Sequence, residues 1–213
     1  MKGCSECVKI LFIHSTFNGV VTDDPCEDKT NFSVWTTDVS TKGEGSEYLL
    51  NRFDTVDTIL LGRGTYEDLS RKWPFVNDWP NASDVDSRLG DKINNAHKLV
   101  VTGDRPLDEL KWGEFKAPKQ LTGSNIEEQI KDLKNGDGGD IVIFGSPTLV
   151  RSLANANLID EYQVLVHPVV VNVGEHLFDN LKERKDFQLL DVKTLTDGSL
   201  LITYEPAKSS TGQ

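Results

Sequence analysis

The sequence predicts an α/β fold whose mostly parallel, mixed sheet ends in an antiparallel hairpin. Early in the chain, short apolar runs rich in Val and Ile alternate with helical patterns. Runs without strict alternation are typical of strands that are buried on both faces. Later, two strand patterns flank the Gly-containing turn 196–199, which indicates a hairpin. The predicted strands are 8–14, 58–61, 98–102, 140–144, 161–167, 187–195 and 200–205.

Helix-start signals lie between these strands. A helix is predicted to follow Ser46, and Thr65 is placed to cap a helix after the second strand. Ser124, with Glu three residues later, forms a capping-box pattern ahead of an apolar helical face. Ser146 as N-cap and Pro147 at the first helical position mark the start of another helix.

Composition indicates one acidic globular domain. The 213 residues carry 23 Lys+Arg against 34 Asp+Glu, a formal net charge of −11, with 37% hydrophobic residues. We expect a single domain over 1–213 with flexible tails at 1–7 and 207–213, and a long irregular loop over 73–83. Binding to nucleic acid or to an anionic membrane requires a basic face, so we expect neither as a partner of this acidic chain. No apolar run approaches the roughly 18 residues of a membrane span, so we expect a cytoplasmic protein.

Metal and nucleotide motifs of the common kinds are absent from the sequence. The three cysteines, Cys4, Cys7 and Cys26, are an odd number and are expected to be reduced thiols. Cys4 and Cys7 form a C-x-x-C pair, but the second pair that a zinc site needs is missing, so we expect no metal. The chain also lacks the G-x-G-x-x-G fingerprint and the P-loop.

Glycines and cations cluster instead at the carboxyl ends of three predicted strands, where ligands of open α/β sheets bind. Segment 62–65 combines two glycines with Arg63, and segment 102–105 combines a Thr and a Gly with Arg105. Segment 144–149 places a Gly directly before a helix start. Free N–H groups and the dipole at such starts attract phosphate. The three ends together predict a long polyanionic ligand, for which a dinucleotide is the obvious candidate.

Several segments carry a family resemblance and run in order along nearly the whole chain. They are KILFIHSTFNGVV (9–21), DTILLGRGTYEDL (57–69), HKLVVTGD (97–104), the 39-residue stretch 140–178 and the closing hairpin. The chain thereby resembles the dihydrofolate-reductase-like family, specifically the reductase domain at the C-terminus of bacterial bifunctional riboflavin-biosynthesis deaminase-reductases. The zinc signature of the deaminase half is absent, so the resemblance is to stand-alone relatives of that domain.

The resemblance implies a three-layer α/β/α, dihydrofolate-reductase-like fold and a reductase that uses NADPH, with NADH as the alternative cofactor. By position, Arg63 and Thr65 would hold cofactor phosphates and Thr102 the adenosine ribose. Segment 145–149 would cradle the pyrophosphate, and 16–21 would lie along the nicotinamide. The full predicted cofactor set is Asn18, Gly19, Val21, Gly62, Arg63, Gly64, Thr65, Thr102, Gly103, Arg105, Phe144, Gly145, Ser146, Pro147, Thr148 and Leu149.

Two positions depart from the family pattern. Asn18-Gly19 stands where Asp-Gly is usual, which bears on the substrate side of the site. Asp104 stands where a residue that binds the 2′-phosphate is common, which weakens NADPH relative to NADH unless Arg105 compensates.

Reduction also needs a proton, which an acid near the nicotinamide can supply. Asp38, Glu44 and Glu47 lie between the first strand and the first helix, where the fold places substrate. The alternative for each is a solvated acid or a charge at a helix start. His14 ends the first strand and can face the site, but a packing role is expected for it and for His167.

The resulting prediction is a reductase of a pterin- or pyrimidine-type small molecule, resembling the 5-amino-6-(5-phosphoribosylamino)uracil reductase of riboflavin biosynthesis. Dihydrofolate reductase activity and a non-catalytic nucleotide-binding module are the alternatives. We also expect a homodimer, because segment 164–173 and the closing hairpin would expose an apolar sheet edge or face. Relatives pair in that region, as the resemblance implies.

Overall fold

The computed structural model describes residues 9–22, 44–133 and 138–207. The strands are β1 Lys9–Thr16, β2 Val20–Thr22, β3 Val56–Gly62, β4 His97–Gly103, β5 Lys119–Thr122, β6 Asp140–Ile143, β7 Glu161–His167, β8 Glu175–His176, β9 Phe187–Thr194 and β10 Leu200–Pro206. The helices are α1 Glu44–Arg52, α2 Arg63–Lys72, α3 Asp84–Asn95, α4 Ile126–Leu133 and α5 Pro147–Asn155.

Eight strands form one sheet in the order β5-β4-β3-β6-β1-β7-β10-β9. All pairs from β5 to β7 are parallel, and β10 pairs antiparallel with both β7 and β9. The short strands β2 and β8 form a separate antiparallel pair. The prediction of a mostly parallel, mixed sheet that ends in an antiparallel hairpin is therefore confirmed.

Helices cover both faces of the sheet, which confirms the three-layer α/β/α prediction. Successive side chains of a strand point to opposite faces, so Leu11 and Ile13 face one core and Ile10 and Phe12 face the other. Burial of each such side chain contributes about 1.5–3 kcal/mol. The first core includes Ile130 of α4 and Leu149, Val150 and Leu153 of α5; the second includes Leu49 of α1, Tyr66 of α2 and Ile93 of α3.

Segment 73–83 is an irregular loop only over 79–83, so the sequence analysis is wrong about its first half. Trp73–Asp78 is a 3₁₀ helix packed against α3, which the sequence analysis does not predict. Val76 is only 1% exposed, and a Cβ added to Gly90 of α3 would lie 2.3 Å from Val76 Cγ1. This close approach needs glycine in the helix, and it buries an apolar side chain that a surface loop would leave wet.

Three predicted helix starts are wrong by one to three residues. Helix α1 begins before Ser46, which lies buried inside its first turn. Gly62 is the N-cap of α2, so that Thr65 lies within the helix. Helix α4 follows Asn125, whose carbonyl accepts the Gln129 N–H, so that Ser124 lies one residue outside the predicted position.

Some predictions concern residues outside the described part of the chain. These are Cys4, Cys7, Cys26, Asp38 and the tails 1–7 and 208–213. Among the described helices, none is long and apolar enough to cross a membrane.

Candidate functional site

The carboxyl ends of β3 and β6 meet in a close backbone contact. Gly62 N–H donates to the Gly145 carbonyl at 2.6 Å, and the Gly145–Ser146 peptide bond is cis. A Cβ on Gly62 would lie 2.6 Å from the Ser146 nitrogen, closer than real Cβ contacts come. Gly145 has φ +104°, in the left-handed region that favours glycine. Both glycines are therefore required to join these two strand ends.

Two helices begin side by side at this junction. Gly62 is the N-cap of α2 and Ser146 is the N-cap of α5, and neither start is closed by a side-chain hydrogen bond. The first N–H groups of a helix have no partner within it, so they remain available to an anion. The start of α3 differs, because Ser83 and Asp86 close it with a capping box. Of these three helix starts, the two that lie where the sequence analysis places phosphate are the ones without a side-chain cap.

The residues of 144–149 contribute mainly backbone to this junction. Leu149 is buried in the core at 6% exposure, Gly145 is buried, and Thr148 is exposed. Phe144 packs its ring against Phe12. Pro147, at the first position of α5, carries no N–H, so the helix start presents its donors from Thr148 onward.

Arg63 bridges the ends of β3 and β4. Its Nε lies 3.0 Å from Glu67 Oε1, and its Nη1 donates to the Arg105 carbonyl at 3.4 Å. The Arg63 and Glu67 side chains are 44% and 42% exposed, so this ion pair is screened by water. Within the described part of the chain, the exposed Arg105 guanidinium has no ion-pair partner. Arg105 is thus the less compensated of the two predicted cations.

The end of β4 is held by β5. The Thr102 hydroxyl donates to Gln120 Oε1 at 3.0 Å, and the same Gln120 amide bonds both backbone groups of Leu107. The hydroxyl that the sequence analysis assigns to the cofactor ribose therefore has a partner in the fold. Gly103 has φ +59°, and a Cβ added there would meet nothing within 4 Å, as is also true of Gly64. Open space adjoins the backbone at both glycines.

Asn18 clamps the turn that follows β1. Its Nδ2 donates to the Val171 carbonyl at 2.7 Å, while its Oδ1 accepts from the Thr16 hydroxyl at 2.9 Å. An amide can donate and accept at the same time, whereas an ionised carboxylate can only accept, so Asn satisfies both partners here and Asp would not. Gly19 follows with φ +85°, and Val21 is buried at 3% exposure. The turn therefore offers its backbone, rather than the Val21 side chain, to a ligand.

The described acidic candidates are not gathered around one point. Glu44 Oε2 accepts the Thr196 N–H at 2.9 Å and so ties the start of α1 to the β9–β10 turn. Glu47 is exposed on α1. Among the described residues, no group of three or more His, Cys, Asp or Glu is placed to hold a metal ion.

Two histidines pair on the α1 face of the sheet, at the carboxyl end of β1. His14 Nδ1 and His167 Nε2 are 2.9 Å apart. Burial, with a further contribution from the charge of His167, lowers the pKa of His14 to about 3. Burial lowers the pKa of His167 to about 4, and Asp197 opposes that shift. The sequence analysis does not predict this pair, which joins residues 153 positions apart in the chain.

A separate groove of about 650 Å³ opens at the amino ends of β3 and β4. Its lining includes Phe53, Val56, Asp57, Lys92 and His97. None of the predicted cofactor residues lines this groove, which lies at the opposite edge of the sheet.

Comparison with known proteins decides the family. The family model of the RibD C-terminal domain matches residues 22–201. The chain belongs to this family. This match confirms the resemblance found in the sequence. The matched residues include all three predicted cofactor segments, at the ends of β3, β4 and β6.

Individual relatives agree with this placement. A Bacillus subtilis (strain 168) protein, "Uncharacterized protein YyaP", is 29% identical over 149 residues, which are 70% of this chain and 73% of that protein. The "putative riboflavin biosynthesis protein" of Shewanella sp. PV-4 matches with TM-score 0.69 and 21% identity over 94% of this chain and 99% of that one. A pyrimidine reductase-like protein of Corynebacterium diphtheriae matches with TM-score 0.59 and 13% identity over 95% and 93%. At these identities the two structures share the fold with this RibD C-terminal domain.

Proposed function

We propose that this RibD C-terminal domain is an NADPH-dependent reductase of a pterin- or pyrimidine-type substrate. The observation that carries the proposal is the junction of β3 and β6, where each strand end leads into an open helix start. Family membership supports a reductase of this type. The fold shared with a pyrimidine reductase-like protein supports the class of substrate.

The residues present fit a dinucleotide. Its pyrophosphate would accept from the first N–H groups of α5, and a second phosphate would accept from those of α2. Room for the ligand is provided at Gly64 and Gly103, where an added Cβ meets nothing within 4 Å. The cations beside this space are Arg63 and Arg105, which supply the positive charge that an acidic chain otherwise lacks.

The bound cofactor would supply the hydride, and the protein would supply binding and orientation. The turn 16–21 follows β1, which lies between β6 and β7 in the sheet. Asn18 fixes this turn through bonds to Thr16 and Val171, so its backbone forms a rigid wall for the nicotinamide. A rigid wall holds the reacting carbons at one distance, which is the main contribution of binding to such reactions.

Cofactor preference would be decided by two neighbours at the end of β4. Arg105 offers an uncompensated guanidinium to a 2′-phosphate, whereas the adjacent Asp104 repels it. We expect Arg105 to prevail, because a guanidinium can bind a phosphate with two hydrogen bonds and Asp104 can turn its carboxylate to water. NADPH would then bind more tightly than NADH.

The test of the cofactor is titration calorimetry with NADPH and NADH at one salt concentration. Loss of a charge-assisted hydrogen bond costs about 1.5–3 kcal/mol, so Arg105→Ala should weaken NADPH about 10- to 150-fold. NADH should weaken much less if Arg105 contacts the 2′-phosphate. No binding of either cofactor at millimolar concentration would contradict the proposal.

Arg63 is tested together with its partner Glu67. Arg63→Ala should weaken both cofactors equally, because this residue lies beside the α2 start rather than at Asp104. Glu67→Gln removes a carboxylate that competes for the same guanidinium, so NADPH should bind about two- to fivefold more tightly. Unchanged NADPH affinity in both variants would mean that the Arg63–Glu67 ion pair lies on the helix surface and does not contact the cofactor.

Turnover separates the possible activities. Oxidation of NADPH is followed with dihydrofolate and with 5-amino-6-(5-phosphoribosylamino)uracil, and we expect the latter to be reduced. Reduction of dihydrofolate alone would indicate dihydrofolate reductase activity. Tight NADPH binding without turnover of either compound would indicate a nucleotide-binding module.

A further inference from the structure

An ion pair joins helix α5 to the short β2–β8 sheet. Arg151 lies about one turn after the start of α5, and its Nη2 donates to Glu175 Oε2 of β8. The Arg151 side chain is only 16% exposed, whereas Glu175 is 41% exposed. Within the described part of the chain, the buried Arg151 Nε has no hydrogen-bond partner. Glu175 is therefore the carboxylate that compensates a mostly buried guanidinium.

The two partners belong to opposite ends of the candidate cofactor site. Helix α5 begins at the loop 144–149, where the pyrophosphate is proposed to bind. Strand β2 is the continuation of the turn 16–21, which is proposed to face the nicotinamide. Thr22 of β2 pairs with Glu175 across the β2–β8 sheet. The ion pair thus connects the element that would hold the phosphates with the element that would hold the ring.

The nicotinamide end is a small unit with its own internal contacts. We call segments 16–22 and 169–177 the turn unit. Phe17 N–H donates to the Val169 carbonyl at 2.9 Å, and Asn18 adds the clamp described above. Strands β2 and β8 lie outside the eight-stranded sheet. These contacts fix the two segments to each other, but none of them involves α5.

Apolar packing holds the turn unit against α5. Val21 and Leu177 of the unit belong to the same buried core as Leu149 and Val150 of the helix. Apolar attraction is non-directional, so it keeps the two surfaces together without fixing their relative orientation. A charge-assisted hydrogen bond from the rigid fork of a guanidinium is directional. The Arg151–Glu175 pair adds this directional contact.

We propose that Arg151 and Glu175 are positioning residues of the reductase. Their ion pair fixes the turn unit relative to α5, and thereby sets where the nicotinamide lies when the phosphates are bound at the helix start. The proposal rests on the reductase function proposed above. A misplacement of 1 Å far from the chemistry can cost about 10²-fold in rate, so this distance is one on which hydride transfer depends. Both residues act through the turn unit.

A positioning pair differs in its effects from a pair that only stabilises the fold. Loss of a purely stabilising pair lowers the free energy of unfolding and weakens every part of the cofactor equally. Loss of a positioning pair leaves the phosphates bound at the helix starts and releases only the nicotinamide end. The two roles are therefore separated by comparing NADPH with a fragment that lacks the ring.

The binding test uses titration calorimetry with NADPH and with 2′-phospho-ADP-ribose. In Glu175→Ala the affinity for NADPH relative to the fragment should fall by about tenfold, while the affinity for the fragment stays within about twofold. Glu175→Gln keeps the side-chain shape and one acceptor, so it should give a smaller fall in the same direction. Arg184→Met, which breaks the exposed Arg184–Asp186 pair, is the control and should change neither affinity.

Thermal unfolding verifies that each variant is folded, and Glu175→Gln decides the test if Glu175→Ala does not fold. An unchanged ratio of the two affinities would overturn the positioning role. Equal weakening of both ligands would also overturn it, because the pair would then only stabilise the fold.

The kinetic test measures the oxidation of NADPH with 5-amino-6-(5-phosphoribosylamino)uracil or dihydrofolate. Glu175→Ala should lower kcat by about 10- to 100-fold while the KM for NADPH stays within about threefold. Arg151→Met keeps an apolar stem of similar length and should have the same effect. Because the two residues act as one pair, the double variant should be no worse than the more damaging single variant. Effects that add would overturn the proposal.

The two proposals fail in different ways. If wild-type protein binds neither NADPH nor the fragment, the reductase function is contradicted, and the positioning role with it. If wild type binds and oxidises NADPH, and Glu175→Ala keeps both the affinity ratio and kcat, only the positioning role is contradicted.

Discussion

The acid response of the protein depends on two imidazole rings that are neutral in the folded state. Both His14 and His167 have pKa values lowered by burial, to about 3 and about 4. In the unfolded chain a histidine has a pKa of about 6.5, so below that pH the unfolded state binds more protons. Stability from these rings is thus fully present above about pH 6.5 and falls as the pH drops toward 4.

We therefore predict that the free energy of unfolding decreases between pH 6.5 and about pH 4, by up to about 1.4 kcal/mol per pH unit for each ring. Urea unfolding at a series of pH values measures this slope. His14→Gln should flatten it, whereas His97→Gln should leave it unchanged, because His97 is exposed. An equal slope in wild type and His14→Gln would show that the His14 pKa is not lowered in the folded state.

At the scale of elements, the contact between the end of β3 and the start of α5 decides the shape of the candidate site. Gly62 and Gly64 differ sharply there, although they are two residues apart. A Cβ on Gly62 would collide with the Ser146 backbone, whereas a Cβ on Gly64 would meet nothing within 4 Å. One glycine is required by packing, and the other leaves room for a ligand.

Gly62→Ala is predicted to destabilise the fold by about 1–3 kcal/mol, because overpacking forces the backbone to move. Gly64→Ala is the matched control, and it should be neutral or stabilising by up to about 1 kcal/mol, since alanine favours the helix interior. Thermal unfolding compares the two. Because Gly64→Ala keeps the junction intact, it also tests whether NADPH occupies the open space beside Gly64. We expect this variant to bind NADPH more weakly than wild type. Equal stability of the two variants would contradict the close approach of Gly62 to Ser146.

At the scale of the whole molecule, β9 is one of the two edge strands of the sheet, and β5 is the other. The sequence analysis placed the exposed edge partly at segment 164–173, but its first residues belong to β7, which is paired with β1 and β10. Strand β9 is exposed along most of its length, and its apolar residues Leu189, Leu190 and Val192 are 51%, 47% and 47% exposed. Long apolar edges of this kind are usually covered, so we propose that β9 forms a homodimer interface.

The double variant Leu190→Lys and Val192→Lys is predicted to be monomeric, because charges on an edge strand oppose pairing. Light scattering across a concentration series measures the mass. Phe75→Lys, at a residue that is 48% exposed on the 3₁₀ helix, is the control and should leave the dimer intact. A wild-type protein that remains monomeric at every concentration would contradict the interface.

The sequence by itself determined seven of the ten described strands, the closing hairpin, the three glycine-bearing strand ends and the family, whereas strands β2, β5 and β8 and helix α3 were not predicted. These features depend on local patterns, since apolar runs and turn residues act within a few positions. Tertiary structure decided the helix starts and the partners of the site residues. Asn18 contacts Val171, and His14 pairs with His167, each across 153 positions. Such contacts arise only when β1 lies beside β7, and no local pattern specifies which strands become neighbours.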